Sequence, residues 1–144
     1  MADFTLQVRR YQPESGEGPY WQRYDVDLDP TLSVLDGLLQ VRDRQDGTLV
    51  VRCSCRAAIC GSCGVKVNGE STLACKTRLS DAHEYANRRN GGDEPIVVEP
   101  MGNMRVIKDL VTDMEETHWT KIRRVTPWLL PEGDPPEREY VVPP

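Results

Sequence analysis

The chain has 144 residues and a formal net charge of −5, with 23 Asp and Glu against 18 Lys and Arg. At that length it can bury roughly two-thirds of its unfolded surface, enough for one cored domain with an appendage. Its acidic balance offers no basic face for a phosphate backbone, and its mean hydropathy of −0.55 comes with no apolar run approaching 18 residues, so nucleic acid and a direct membrane span are both disfavoured as roles.

Residues 5–11 alternate apolar and polar side chains, and 20–28 alternate again, with a Pro- and Gly-containing loop between Pro13 and Pro19. Two antiparallel strands joined by a turn are predicted. Asp29-Pro30-Thr31 breaks the pattern. Val34, Leu35, Leu38, Leu39 and Val41 then recur at helical spacing, which predicts a helix over 33–43 that is capped by Thr31 or Ser33 and buries one face on the sheet. Gln45-Asp46-Gly47 ends it, and 49–52 read as a short strand leading into the next segment.

All five cysteines lie between Arg52 and Cys75, and Cys55, Cys60, Cys63 and Cys75 stand in the order C-x4-C-x2-C-x11-C. That spacing is the plant-type signature of a [2Fe-2S] cluster, in which one tight loop supplies three thiolates and the fourth comes from further along. Ala57, Ala58, Gly61, Ser62 and Gly64 are small enough to let backbone amides approach the sulfurs and bond to them. The eleven-residue gap reads as a folded spacer: Val65-Lys66-Val67 alternates, Asn68-Gly69 favours a type I′ turn, and 71–74 return the chain to Cys75. A four-thiolate zinc site uses the same donors, although structural zinc usually takes them as two short C-x2-4-C pairs. A redox-active pair at Cys60 and Cys63 is a further reading, but that motif normally opens a helix, and here Gly64 and a β-type run follow. An odd number of cysteines with no signal peptide in front suits a reducing compartment rather than a disulfide framework. Cys53 reads as a small buried or merely spare thiol. Extended backbone there would put Cys53 and Cys55 on one side, so an exchange of ligands between them stays open.

Beyond Cys75 a polar stretch runs to Asp93, with Asn90-Gly91-Gly92 as a loop, and 95–100 form another strand. His83 reads as a solvated loop residue with no second metal ligand near it in sequence. Two strands, helix, cysteine loop, hairpin and strand follow one another in the order of a β-grasp, ferredoxin-like domain of the α+β class, assigned to 1–100. A boundary at 100–102 precedes a segment that begins extended and becomes helical, with Ile107, Leu110, Val111 and Met114 on one side. Pro127 to Pro131 stop any helix, and 132–144, with two proline pairs, read as an extended tail. No general base, nucleophile or phosphate-binding loop is evident, so no substrate chemistry is assigned to the chain itself.

With these residues in view, the sequence resembles the N-terminal half of the iron-sulfur subunit of succinate dehydrogenase or fumarate reductase. The resemblance rests on Ser54-Cys55-Arg56, Ile59-Cys60-Gly61-Ser62-Cys63, Asn68-Gly69, Thr72-Leu73-Ala74-Cys75 and the run from Val106 to Val111, with Asp113-Met114 and Pro127-Trp128-Leu129. The small iron-sulfur subunit of molybdenum hydroxylases has a similar cysteine spacing but not the Ile107-Lys108-Asp109-Leu110-Val111 segment. The resemblance implies a [2Fe-2S] cofactor with Cys55 and Cys60 on one iron and Cys63 and Cys75 on the other. It further implies single-electron transfer from an FAD-containing flavoprotein subunit toward a quinone, docking through the segment after Met104, and a place on the cytoplasmic face of the inner membrane held by membrane-anchor subunits. Two departures stand out. Ala57-Ala58 replaces the family's usual Glu-Gly, so a backbone angle that glycine adopts easily is expected to be strained or remodelled at Ala58. No C-x-x-C-x-x-C run follows for the [3Fe-4S] and [4Fe-4S] clusters of the family's second domain, so either the form is truncated or another polypeptide supplies them. A free-standing ferredoxin and a zinc-stabilised interaction module are the competing readings.

Overall fold

The computed structural model describes residues 2–125 together with 137 and 138. Strand β1 (Ala2–Arg10) runs antiparallel to β2 (Tyr20–Leu28) from the pair Ala2 and Leu28 to the pair Arg10 and Tyr20. Phe4, Leu6, Val8 and Arg10 alternate inward along β1 and are buried, as a strand with one covered face requires. Helix α1 (Val34–Arg44) begins with a capping box in which the Ser33 hydroxyl accepts from the Asp36 amide and the Asp36 carboxylate accepts from the Ser33 amide. Its buried Val34, Leu35, Leu38 and Val41 cover the sheet. A Cβ at Gly37 would stand 3.2 Å from Leu6 Cδ1, so the helix lies close to β1 only because that position carries no side chain.

Strands β3 (Gly64–Val67) and β4 (Glu70–Leu73) form the expected hairpin, with Asn68 and Gly69 at φ 51° and 86°, the left-handed angles of a type I′ turn. Strand β5 (Ile96–Glu99) lies between β1, to which it is parallel, and β3, to which it is antiparallel. The sheet order is β2-β1-β5-β3-β4, giving the α+β, ferredoxin-like fold expected from the order of elements.

Three expectations are corrected. The polar stretch after Cys75 contains a helix, α2 (Leu79–Asn90), whose buried face consists of Leu79, Ala82 and Ala86. Two of those three side chains are single methyls, too small to stand out as an apolar stripe. His83 is therefore a helical residue and not a solvated loop residue: its ring meets Phe4 edge-on at 5.6 Å, and Nε2 lies 3.0 Å from Asn87 Nδ2. Residues 49–52 form no strand; Leu49 is buried, but the segment joins no ladder. Beyond residue 100 the chain forms a small hairpin of β6 (Val106–Lys108) and β7 (Val111–Thr112), then a π-helical turn over Glu115–Trp119. Leu110 is buried while Ile107 is exposed, so these residues do not share the single face expected, because the chain reverses at Asp109 (φ 47°). The Pro127 stop and most of the 132–144 tail lie outside the described residues. Among the described residues no helix is long and apolar enough to cross a membrane.

Candidate metal centre

The segment from Cys53 to Cys63 is irregular and turns back on itself around Cys55. Arg56 and Ala58 both adopt left-handed angles, φ 54° and 56°, and Gly61 follows at 74°. Left-handed residues alternating with their neighbours turn successive amides toward one point. Here that point is the Cys55 sulfur, which accepts from the amides of Ala57 at 3.3 Å, Ile59 at 3.4 Å and Cys60 at 3.3 Å. The strain foreseen at Ala58 is present, and Arg56 shares it, a position that sequence gave no reason to suspect.

The cysteines are grouped in two pairs. Cys60 lies against Cys55 and shares a 3.1 Å hydrogen bond with the Ser62 hydroxyl. That hydroxyl first, then backbone groups of Cys55 and Ser62 and the Cys55 side chain, bring the Cys60 thiol down to about 6. Cys63 is buried and lies against Cys75; burial first, then the neighbouring Cys75 thiol, push its thiol up. Cys75 is brought there by its flanks: the Ala74 amide donates to the Cys63 carbonyl at 3.1 Å, the Leu35 amide to the Ala74 carbonyl at 3.1 Å and the Val34 amide to the Thr77 carbonyl at 2.8 Å. The hairpin and the start of α1 thus hold the fourth cysteine together. Gly64 permits the close turn, since a Cβ there would stand 3.3 Å from the Gly61 carbonyl oxygen.

Among the described residues, no three Cys, His, Asp or Glu side chains converge on a single metal ion. Two thiol pairs fit the donor set of a [2Fe-2S] cluster, which would take four cysteine thiolates, two for each iron. Cys53 is half-buried against the hydrophobic core.

Residues 5–119 match the family described as 2Fe-2S iron-sulfur cluster binding domain. The chain belongs to that family. Its cofactor is a [2Fe-2S] cluster, and the matched stretch runs across position 100 without a break. This 2Fe-2S domain is 43% identical over 136 residues to a fumarate reductase iron-sulfur subunit of Mycobacterium tuberculosis, covering 94% of this chain and 51% of that protein. It is 39% identical over 133 residues to a mitochondrial succinate dehydrogenase iron-sulfur subunit of Dictyostelium discoideum, covering 92% and 43%. Among solved structures, a chain of the Mycobacterium smegmatis Sdh1 complex in its apo form superposes with a TM-score of 0.70 at 31% identity, over 97% of this chain and 53% of that one. The 2Fe-2S domain thus spans about half the length of the relatives it matches.

Sequence reasoning missed part of what surrounds the loop. Met101, Met104, Leu110 and Trp119 line a cavity of about 540 Å³ beside Cys60 and Arg52. Arg52 Nη1 donates to the Thr112 carbonyl at 3.1 Å. No local spacing in the sequence links Arg52 to residue 112.

Proposed function

We propose that the chain is the electron-transfer part of a succinate dehydrogenase or fumarate reductase. In this reading it accepts single electrons from an FAD-containing flavoprotein subunit and relays them toward a quinone through clusters held elsewhere in the complex. The observation that carries this reading is the division of the cysteines into an exposed pair, Cys55 and Cys60, and an inner pair, Cys63 and Cys75, in a chain similar to iron-sulfur subunits of those two enzymes. The four residues are the proposed ligands, Cys55 and Cys60 for one iron and Cys63 and Cys75 for the other.

The bound cluster supplies one-electron storage. The protein sets its surroundings. The amides of Ala57, Ile59 and Cys60 stabilise negative charge at the Cys55 sulfur, and burial at Cys63 keeps water from the inner side. Ile59, at the tip between Cys55 and Cys60, is 82% exposed, which suits contact with a partner at the outer pair. Residues 104–119 flank the same cavity and form the proposed docking segment. Residence on the cytoplasmic face of the inner membrane, held by anchor subunits, follows from this reading.

The test is native anaerobic isolation of the chain with whatever accompanies it. A flavin-containing subunit in the same complex, two iron and two sulfide per chain, and an axial or rhombic EPR signal on reduction support the proposal. A soluble monomer that carries the cluster but no flavoprotein would make the chain a free-standing ferredoxin. Colourless material with one zinc per chain would leave a zinc-stabilised module.

A further inference from the structure

The least expected feature of the interior is a charged cluster at the far end of β1. Arg10 occupies an inward position on the strand and is fully buried. Its Nε donates to Asp109 Oδ1 at 2.9 Å, and Nη1 donates to Asp46 Oδ2 at 2.7 Å and to the Tyr24 hydroxyl. Asp109 is fully buried too, and it is bound on every side. Its Oδ1 also accepts from the Tyr11 amide at 3.0 Å, its Oδ2 accepts from the Val50 amide at 2.9 Å, and its own amide donates to the Tyr11 carbonyl at 2.9 Å.

The Val50 bond matters because of what Val50 leads to. Residues 50–54 are the irregular leg that carries Cys53 and delivers Cys55. Among the described residues their hydrogen bonds to the rest of the fold run to 109–112: the Val50 amide to Asp109, the Leu110 amide to the Val50 carbonyl at 3.4 Å, and Arg52 Nη1 to the Thr112 carbonyl. A leg outside any ladder has no periodic set of hydrogen bonds to fix it, so these few contacts decide where it sits. Asp109 can act as a rigid post because Arg10, embedded in the core, holds its other oxygen.

We propose that Asp109 is a positioning residue for the [2Fe-2S] centre: clamped by Arg10, it fixes the loop leg at Val50 and thereby the outer cysteine pair. The inference depends on the cofactor and not on any partner subunit.

Asp109→Asn separates this role from general stability. The remaining carbonyl oxygen can still accept from Arg10 and Tyr11, but the amide nitrogen that replaces Oδ2 would then point donor to donor at the Val50 amide. The clamp survives while the tie to the leg is lost. The full cluster-loaded chain is compared with a Val26→Ala chain, which weakens the core at the edge strand β2, away from β3 and β4. Wild-type protein must first show the [2Fe-2S] visible spectrum; without it the cofactor reading itself fails. The expected result is that Asp109→Asn releases iron to a chelator about tenfold faster than the Val26→Ala chain at equal thermal stability, with an altered visible circular dichroism and a shifted midpoint potential. Release no faster than that of Val26→Ala, with a visible spectrum and potential identical to wild type, would overturn the proposal. If Asp109→Asn does not fold, Arg52→Gln removes the second tie. It is expected to speed release relative to wild type, and wild-type release and spectrum in that variant would count against the proposal in the same way.

Discussion

At Ala58 a methyl-bearing residue is held in the left-handed region, φ 56°, so that neighbouring amides can face the Cys55 sulfur. That conformation costs an L-residue about 1–2 kcal/mol, part of which glycine would return as lost chain entropy in folding. Ala58→Gly is therefore expected to raise stability by about 0.5–1 kcal/mol, measured as the thermal midpoint of the cluster-loaded protein. The proposed ligands separate from the spare thiol in the same way. Cys63→Ala should abolish or radically alter the visible spectrum, because Cys63 stands against Cys75 in the inner pair. Cys53→Ala, at a thiol packed on the core and outside the C-x4-C-x2-C-x11-C set, should leave the spectrum nearly unchanged; an essential Cys53 would refute the ligand assignment. Spacing made the four cysteines legible in the chain, and the resemblance to the iron-sulfur subunits pointed to the difficulty at Ala58. The strain at Arg56 was not legible, since its left-handed angle is set by the turn of the loop around the Cys55 sulfur and not signalled by the residue type.

Among the elements, the β3–β4 hairpin was the most readable and does more than its sequence suggests. Asn68 supplies the left-handed turn residue, but its side chain also bridges three elements, with Nδ2 donating to the Ala82 carbonyl at 2.7 Å and Oδ1 accepting from the Val97 amide at 2.9 Å. Asn68→Gly keeps the turn angle available and removes only those bonds. It is expected to cost about 1–3 kcal/mol, read from the denaturant midpoint, because the Val97 amide loses its acceptor and the Ala82 carbonyl loses one of its donors. An unchanged midpoint would reduce Asn68 to a turn residue. The same bridge anchors α2, the helix that sequence failed to reveal. Its polar exterior reflects its place on the surface, and its alanines pack closely without giving a visible hydrophobic stripe.

Across the whole molecule, the cluster around Arg10 joins β1, β2, the turn after α1 and the segment past residue 100. Burial alone would lower the pKa of the Arg10 guanidinium, yet its bonds to Asp109 and Asp46 raise it above its ordinary value. The Thr48 hydroxyl first, and then Tyr24 and Arg10 against an opposing burial effect, hold the Asp46 carboxyl well below the usual carboxylate range. A carboxyl with a depressed folded-state pKa contributes stability that is present above its unfolded value, about pH 4, and lost as pH falls toward the folded value. Asp46→Asn should thus lower stability by about 1–3 kcal/mol near neutrality. The gap from wild type should close as pH falls below about 4, which thermal unfolding over pH 2–7 would show. A gap that stays constant through acid would mean that the Asp46 charge contributes nothing.

The local record in the chain determined β1, β2, β5, the first helix, the β3–β4 hairpin and the four clustered cysteines, because each depends on periodicity, turn chemistry or spacing within about twenty residues. Arg10 left a trace as well: an arginine at an inward position of an alternating strand requires a buried partner. Which residue answers it could not be read from the chain. Asp109 lies 99 residues away, and only the folding of β1, the loop leg and the final hairpin onto one another brings that carboxylate to Arg10 and Val50. Pairing over such distances is set by packing in three dimensions, which local propensity does not encode.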